Sequence, residues 1–374
     1  MALIKDIFKI TKGKKEEEAE VLERSFQRYI QIEDLRHNEN LKCCIPNKKS
    51  VHVNKSDLII AWDGANAGTI GVGLEGVIGS TLAKLELKND KVNPFYVARF
   101  LQSKFQYLRD NCTGATIPHI SKTVLENLSI PLPSLEIQKR IIEVLDKARR
   151  LIDARKKQIR LMDELIQSMF YEMFGDPVTN PKGWKKIQLR KSCDVITGNT
   201  PSRKEQDNYG RYIEWIKSDN INTPYTFLTR AEEYLSEKGF EKGRYTEANS
   251  ILMTCIAGSL SCIGNVAIAD RKVAFNQQIN AIVPLKYETM FLYVMFLLTK
   301  SYIQNASSNS MKGIISKGKL QELEFIVPDR PIQEMFSKKV IFFEGQKELL
   351  NQSLTELETK YLSLTQKAFR GDLF

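Results

Sequence analysis

Three short stretches carry parts of known catalytic motifs, and each lacks something that the chemistry needs. Residues 313–319 follow the spacing of a phosphate-binding loop, but Leu320 stands where a magnesium-binding serine or threonine is required. Residues 93–96 read Asn-Pro-Phe-Tyr, one proline short of the Asn-Pro-Pro-Tyr of adenine methyltransferases, and no glycine-rich cofactor loop precedes them. Asp329 and residues 358–360 supply a nuclease's carboxylates and lysine, yet the latter belong to a predicted coiled-coil helix. We therefore predict that the chain is not an enzyme by itself.

The sequence also offers no spacing typical of a metal site or a catalytic triad. The cysteines are Cys43, Cys44, Cys112, Cys193, Cys255 and Cys262, and the histidines are His37, His52 and His119. None forms a Cys-x-x-Cys pair, so we expect reduced, packed thiols in a cytoplasmic protein and no bound metal. The N-terminus lacks the apolar run of a signal peptide, and the most apolar window, residues 290–298, is too short to span a bilayer.

The remaining candidates lie in polar, basic loops whose residue types suit contacts with DNA. The formal charge of +10 points toward a polyanionic partner. Residues 12–15 and 198–204 occupy corresponding places, each after the first predicted strand of a similar stretch of chain. Lysine and arginine suit phosphate contacts, and asparagine and glutamine can pair with adenine through two hydrogen bonds.

The candidate DNA contacts fall into these loops and into turns near a repeated Ile-Ser-Lys sequence. They are Lys12, Lys14, Lys15, Asn66, Thr69, Thr113, Thr116, His119 and Lys122 in the first stretch, and Asn199, Thr200, Ser202, Arg203, Lys204, Ser259, Ser261, Asn276, Gln277, Gln278, Lys312 and Lys317 in the second. Taken singly, each residue fits an ordinary solvated turn about as well as a base contact. Taken as groups, the duplication and the basic charge favour double-stranded DNA.

These loops are positioned by a block of sequence that occurs twice, 195 residues apart. The set Ile120, Ser121, Lys122, Leu125, Leu128, Pro133, Ile137 and Gln138 returns as Ile315, Ser316, Lys317, Leu320, Leu323, Pro328, Ile332 and Gln333. Each copy predicts a short helix, a short strand and a proline break before a very long helix. Two copies of mixed structure predict two duplicated domains, because a solenoid would need at least three units.

Both long helices carry an apolar residue every 3.5 positions, the pattern typical of a coiled coil. The stripes run over residues 141–173 and 336–368, about 50 Å each at ~1.5 Å per residue. Each stripe is interrupted by one cation, Arg155 or Lys347. Antiparallel pairing would place Met173 near Phe336, Arg155 against Leu354, and Lys347 against Met162. The two stripes are equally long and each helix is preceded by a copy of the repeated block, which favours this pairing over two unrelated amphipathic helices.

The predicted division of the 374 residues follows from these elements. It comprises a domain at residues 1–133, a long helix at 134–175, a linker at 176–184, a second domain at 185–330 and a second long helix at 331–374. Within the first domain, residues 58–62 predict a buried strand and residues 93–108 a single helix with an Asn-Pro start. By internal symmetry, the second long helix would be followed by a globular domain as the first is. We therefore predict that the end of the chain returns to the first domain. The fold class is therefore mixed α/β, nearly closed and pseudo-two-fold.

Over its whole length the sequence resembles the specificity subunit of Type I restriction–modification systems. The resemblance rests on two variable domains alternating with two long helices, on the repeated Leu, Leu, Pro and Gln of the block, and on two local motifs. Residues 173–177 read Met-Phe-Gly-Asp-Pro before Pro-Lys-Gly-Trp at 181–184, and residues 198–202 read Gly-Asn-Thr-Pro-Ser. The first domain has no equivalent of this Thr-Pro-Ser turn.

The resemblance implies that each domain is a target-recognition domain that reads one half of a bipartite DNA site. It also implies that the helices set the spacing of the two halves and dock two methyltransferase subunits, through which restriction subunits would join. S-adenosylmethionine, ATP and magnesium would then bind to those partner subunits, and this chain would hold no cofactor.

Two other classes of function stay open at this point. One is a coiled-coil scaffold whose globular ends bind protein, which would show no sequence-dependent retention of DNA. The other is an enzyme whose active site is not recognised, which would transfer methyl groups without a partner. Within the family that the chain resembles, a methylation-only phage-defence system is a further alternative.

Overall fold

The computed structural model describes residues 1–19, 26–36, 41–114, 116–307 and 313–374. The chain forms two compact units, Met1–Arg155 with Ser353–Phe374, and Lys156–Gln352. None of the helices in these described ranges is long and apolar enough to cross a membrane. Lys312, one of the predicted DNA contacts, lies outside the described residues, as does His37.

The globular part of the first unit is built on two sheets. Its elements are β1 Ala2–Leu3, α1 Ile4–Ile7, β2 Phe8–Lys12, β3 Glu18–Ala19, β4 Gln27–Ile30, β5 Cys43–Cys44, β6 His52–Val53, β7 Leu58–Ala61, β8 Ile70–Val72, β9 Gly76–Ile78, β10 Leu82–Leu87, α2 Pro94–Ser103, α3 Phe105–Asp110, α4 Lys122–Glu126 and β11 Ser129–Ile130. One sheet has the order β2-β10-β7-β8 and the other β3-β5-β4-β9-β6, and β1 pairs with β11. The predicted buried strand is confirmed as β7, in which all four side chains are buried.

The first long helix, α5, spans Leu135–Phe174 and contributes to both units. The chain then continues with β12 Lys186–Gln188, β13 Cys193–Thr197, β14 Tyr209–Ile216, β15 Tyr234–Leu235, α6 Glu237–Lys242, β16 Tyr245–Thr246, β17 Ile251–Thr254, β18 Ile256–Ala257, β19 Val266–Ile268, β20 Val273–Phe275, β21 Ile279–Pro284, α7 Thr289–Leu298, α8 Lys300–Asn305, β22 Gly313–Ile314, α9 Lys317–Glu322, β23 Glu324–Ile326 and the second long helix, α10 Arg330–Arg370. Like α5, α10 contributes to both units.

The second unit repeats the strand order of the first. Its principal sheet runs β13-β21-β17-β19, which matches β2-β10-β7-β8 element by element. The parallel pair β14 and β20 matches the parallel pair β4 and β9, and the pair β12 and β23 matches β1 and β11. The predicted duplication and the mixed α/β class are therefore confirmed.

The single helix predicted at residues 93–108 is wrong, because the structure has two helices, α2 and α3, that meet at Lys104. The Ser103 hydroxyl donates to the carbonyl oxygen of Phe100 (2.6 Å) at this break. In the second unit, the break between α7 and α8 falls at Thr299, whose hydroxyl donates to the carbonyl oxygen of Met295 (2.8 Å). Such side chains compete with the helical hydrogen bonds and favour a bend at this point.

Within the second unit, the end of α5 packs against the start of α10. The Phe336 ring lies 5.5 Å from that of Phe170 and 5.4 Å from that of Phe174, and Met173 packs against the same core. The seam cation Lys347 donates to Asp163 (2.6 Å), the neighbour of its predicted partner Met162, and to Glu344 (2.9 Å). Antiparallel pairing is therefore confirmed in this unit.

Within the first unit, the start of α5 packs with the end of α10. Ala368 shares a buried core with Ile141 and Leu145. The Phe369 ring lies 5.4 Å from that of Tyr96. In the second unit the Phe174 ring lies 4.8 Å from that of Phe291. Phe291 follows Tyr96 by 195 positions, and Phe174 precedes Phe369 by the same number. The same aromatic contact thus ties each globular part to a helix end. The pairing of Arg155 with Leu354 stays a prediction.

The repeated glutamine of the sequence block is a buried connector between each globular part and its helix. Gln138 is 0% exposed; it accepts from the backbone N–H of Asn93 (2.8 Å) and donates to the carbonyl oxygens of Lys91 (3.2 Å) and Pro133 (2.9 Å). In the second unit Gln333 makes the equivalent bonds to Glu288, Lys286 and Pro328, each 195 residues further on. A buried amide that satisfies three backbone groups explains why glutamine stands at this place in both copies.

Replacing either glutamine by leucine is expected to destabilise its unit. Gln138→Leu leaves one N–H and two carbonyl oxygens without their partner, and we expect a loss of about 3 kcal/mol in the free energy of unfolding. Urea denaturation followed by circular dichroism measures this loss. Gln158→Leu, at an exposed glutamine of the same helix, is the matched control and should change stability little. Equal effects of the two substitutions would refute the connector role.

Candidate nucleic-acid interface

Four segments of the first unit, far apart in sequence, meet at one edge of its principal sheet. The backbone N–H of Gly13 donates to Leu82 (2.9 Å), that of Trp62 to Thr81 (2.8 Å), that of Gly64 to Pro118 (2.9 Å) and that of Ile120 to Trp62 (2.9 Å). We call the described residues among 12–15, 63–69, 79–81 and 113–119 the first loop face. It contains eight of the nine predicted contacts in this unit. Lys122 is instead the first residue of α4, where it pairs with Glu126 (3.6 Å).

The second unit joins the equivalent segments by the same backbone bonds. Gly198 donates to Ile279 (3.0 Å), Cys255 to Gln278 (2.8 Å) and Ile315 to Cys255 (2.9 Å). We call residues 197–204, 256–265, 276–278 and 313–314 the second loop face. Lys317 lies outside it, exposed in the first turn of α9. The sequence suggested these loops one by one. In the structure, each unit brings its own set of loops together through equivalent backbone hydrogen bonds.

Each loop face depends on a close approach of two backbone segments at Gly13 or Gly198. A Cβ atom on Gly13 would lie 2.3 Å from the carbonyl oxygen of Gly79, and one on Gly198 would lie 2.2 Å from that of Asn276. Since the obstructing atoms belong to the backbone, they cannot rotate away. The basic loops after β2 and β13 are therefore pinned at the same position, which confirms that they correspond.

We expect Gly198→Ala to displace the loop at residues 198–204 and to lower the free energy of unfolding by about 1–3 kcal/mol. The free energy of unfolding can be measured by urea denaturation. Gly258→Ala is a matched control on the same loop face, because a Cβ atom there would have nothing within 4 Å. Unchanged stability of the Gly198 variant would show that the loop can move without cost.

In the second loop face, Thr200 and Gln277 link two of the loops. The Thr200 hydroxyl donates to the side-chain oxygen of Gln277, and both residues are exposed. Asn276 is buried, and its side-chain oxygen accepts from the backbone N–H of Gln278 (3.0 Å). Exposed Gln277 is therefore well placed for an external contact, whereas Asn276 shapes the turn that presents it.

Asn199 is committed to the protein backbone in this structure. Its amide nitrogen donates to the carbonyl oxygen of Lys242 (2.8 Å), and its amide oxygen accepts from the N–H of Arg244 (2.7 Å). The two bonds hold exposed Arg244 beside the loop. Sequence reasoning missed Arg244, because only the fold brings α6 to this face. A direct base contact by Asn199 stays a prediction.

Arg203 and Lys204 are neighbours with different surroundings. Arg203 bonds Glu233 (2.8 Å) and stacks over Tyr209 and Trp215, at 5.1 and 5.4 Å from the ring centroids. Hydrogen bonds from Lys217 and Arg203 outweigh burial and hold the pKa of Glu233 below its usual value. Lys204 is exposed, and within the described part of the chain no carboxylate lies at ion-pair distance from it. Lys204 is thus the freer of the two for a phosphate contact.

Most of the other predicted contacts are exposed or half-exposed polar residues with local bonds. Ser202, Lys14, Lys15, Thr113 and Thr116 are exposed; Thr69 donates through its hydroxyl to the carbonyl oxygen of Asn66 (2.8 Å); and the Ser259 and Ser261 hydroxyls lie 2.7 Å apart. Ser218, which sequence reasoning missed, donates to Gln278 (3.4 Å). The described residues include no cluster of three or more His, Cys, Asp or Glu side chains that could hold a metal ion.

Lys12 and His119 meet at a third residue that the sequence did not single out. Asp63 bonds both of them, at 2.8 and 2.6 Å. Burial alone raises the pKa of Asp63, but the hydrogen bonds from Lys12 and His119 outweigh burial and lower the pKa below its usual value. This ionised carboxylate accordingly fixes two of the predicted DNA contacts in the first loop face.

Known proteins are similar to this chain in sequence and in fold. The model of the family described as "Type I restriction modification DNA specificity domain" matches residues 2–161 and 181–359. The MjaVIII specificity subunit of Methanocaldococcus jannaschii is 31% identical over 255 residues, which cover 63% of this chain and 59% of that relative, less than two thirds of its length. The EcoBI specificity subunit of Escherichia coli is 22% identical over 357 residues, 86% of this chain and 74% of that protein.

A solved structure has the same fold. The Type I restriction–modification S subunit from M. genitalium matches with a TM-score of 0.58 at 16% identity, covering 98% of this chain and 95% of that one. The sequence match extends over both units. The repeated block and the paired loops fall within the matched residues, as do residues 135–161 of α5 and 330–359 of α10. The chain therefore belongs to the family of Type I restriction modification DNA specificity domains.

Proposed function

We propose that this chain is the DNA-recognition subunit of a Type I restriction–modification complex and that each loop face binds one half of a bipartite double-stranded target. The supporting observation is that the two units hold equivalent loops on the same backbone frame but fill them with different side chains. Such an arrangement suits two readers of different bases, because the frame provides position while the side chains provide specificity. Lys14, Lys15 and Lys204 would contact phosphate.

The catalytic steps would belong to partners. S-adenosylmethionine and ATP with magnesium would bind to methyltransferase and restriction subunits, and this chain would supply the target sequence. The relatives are named as specificity subunits of restriction enzymes, which agrees with this division. The lengths of α5 and α10 would set the gap between the two recognised half-sites.

The direct test is equilibrium binding of the purified chain, alone and with a methyltransferase subunit, to the target identified by mapping methylated adenines. We expect sequence-dependent binding that weakens as salt rises, and Lys204→Ala should weaken binding to all sequences and reduce the salt slope by about one. Sequence-independent binding would favour a scaffold, and methyl transfer by the chain without partners would favour an enzyme.

The helix pair of the second unit has an exposed apolar groove that suits a docked partner. The groove has a volume of about 580 Å³ and includes Leu165, Met169, Phe342 and Phe343. Leu165 is 46% and Phe342 61% exposed. Surface patches of this kind mark protein interfaces. We assign a methyltransferase subunit as the occupant, because the proposed function requires one and the apolar groove lies on the helices.

Phe342→Asp is expected to weaken binding of the methyltransferase subunit at least tenfold, since it places a charge in an apolar contact. The folding of the free chain should be unaffected, because this ring is exposed. Analytical ultracentrifugation of the mixed subunits measures the change. Leu285→Asp, at a similarly exposed leucine outside the groove, is the matched control. If Phe342→Asp assembles normally, the groove is not the docking site.

A further inference from the structure

The first loop face contains a cluster of three ionisable side chains with one inner and two outer members. Asp63 is 16% exposed, whereas Lys12 is 50% and His119 45% exposed. The Asp63 Oδ2 lies 2.8 Å from Lys12 Nζ, and its Oδ1 lies 2.6 Å from His119 Nδ1. Both oxygens of the carboxylate are thus used to hold the two outer groups.

The imidazole of His119 is also held by the backbone around it. His119 and Thr113 exchange two backbone hydrogen bonds, at 2.7 and 2.8 Å, and Asp63 and His119 form a β-bridge. Gly114 has a φ of +96°, and a Cβ atom there would lie only 2.9 Å from the ring Cδ2 of His119. A ring confined on one edge by Gly114 and bonded on another by Asp63 has little freedom to rotate.

These contacts determine which ring nitrogen carries the proton. The ionised Asp63 can only accept, so Nδ1 of His119 must be the donor. The remaining ring nitrogen, Nε2, has no hydrogen-bond partner among the residues that the structure describes. In a neutral imidazole whose proton is on Nδ1, Nε2 is an acceptor. The exposed ring therefore offers one acceptor of fixed direction to an external group.

The second unit has a different pair of side chains at the same backbone position. There the pairing of Asp63 with His119 is replaced by the strand pair β18 and β22, in which Ile256 lies opposite Ile314. Both isoleucines are half-buried. In the DNA major groove, adenine and cytosine present amine donors and thymine presents a methyl group. An acceptor in one unit and an apolar pair in the other suit different base edges on a common frame.

Building on the proposed function, we propose that His119 is a specificity-determining residue for the first half-site. Its Nε2 accepts a hydrogen bond from the exocyclic amine of an adenine or a cytosine in the major groove. Asp63 is a positioning residue that keeps the proton on Nδ1, and Lys12 offsets the charge of Asp63, which would otherwise repel the phosphates.

The positioning role can be tested without DNA. The chain has only three histidines, so ¹⁵N-histidine labelling gives a simple NMR spectrum, and His119→Gln assigns the signals. At pH 8.5 we expect His119 to carry its proton on Nδ1. Asp63→Ala should shift it towards the Nε2-protonated form, and Asp63→Asn, whose amide oxygen can still accept, should retain the Nδ1 form. An Nε2-protonated His119 in the unsubstituted chain would overturn the proposal.

The specificity role is tested by affinity for all single-base variants of both half-sites. His119→Ala should relax preference about tenfold at one adenine- or cytosine-containing position of the first half-site, with the second half-site and the salt slope unchanged. His52→Ala, an exposed histidine of β6 in the same unit, is the control and should change neither. Equal weakening on every sequence would overturn the base contact. Absence of any sequence preference in the unsubstituted chain would instead refute the proposed function.

Discussion

Lengthening both long helices by one heptad is expected to widen the unspecified gap in the DNA target by about three base pairs. Seven residues add about 10 Å at ~1.5 Å per residue, and one base pair spans ~3.4 Å. Insertion after Ile152 and after Leu357 keeps the 3.5-residue apolar stripe in phase. The flanking sequences recognised by the two loop faces should stay the same, because neither globular part is altered.

Mapping methylated adenines in cells that carry the lengthened chain measures the new gap. A heptad inserted into only one helix is the control; it shifts the antiparallel register on one side of the insertion and is expected to destabilise the helix pair. A lengthened chain that still directs methylation at the original gap would show that the helices do not set the spacing.

Exchange of the second globular part is expected to rewrite one half of the recognised sequence and leave the other half unchanged. The expectation rests on separate cores: the second globular part packs with Phe170, Phe174 and Phe336, while the first packs with Ile141 and Ala368. Replacing residues 185–330 by the matching segment of a related specificity subunit exchanges the whole second loop face. The donor should keep an aromatic residue at the place of Phe291, which stacks on Phe170 at 5.5 Å.

The recognised sequence of the exchanged chain can be read from its methylation pattern. The reciprocal exchange of residues 1–133 serves as the control and should rewrite only the opposite half. If either exchange changes both halves, or neither, then the two loop faces do not act as independent readers.

The sequence by itself determined the duplicated plan of this protein. The predicted long helices at residues 134–175 and 331–374 correspond to Leu135–Phe174 and Arg330–Arg370. The repeated serines cap α4 and α9, and the repeated glutamines satisfy the same backbone groups. The duplication and the helices could be predicted because apolar periods and repeated spacings are properties of neighbouring residues along the chain, whereas the bonds of Gln138 reach Asn93 and Lys91, 45 and 47 residues away.

Local patterns were less informative where polar side chains compete with the backbone. The helix predicted over residues 93–108 breaks at Lys104, next to the hydroxyl of Ser103. Likewise, Lys347 stood out in sequence as an interruption of an apolar stripe. Only the structure shows that Asp163 and Glu344 neutralise it, because one of those carboxylates comes from the other helix.

The tertiary structure alone decided which loop residues act together. Asp63 and His119 lie 56 residues apart and meet at 2.6 Å, and Arg244 reaches the second loop face through Asn199. The physical reason is that each loop face is assembled by long-range strand pairing in the order β2-β10-β7-β8 or β13-β21-β17-β19. Residue types and spacings could suggest candidate loops, but the hydrogen bonds that orient their side chains depend on neighbours that only the folded sheet supplies.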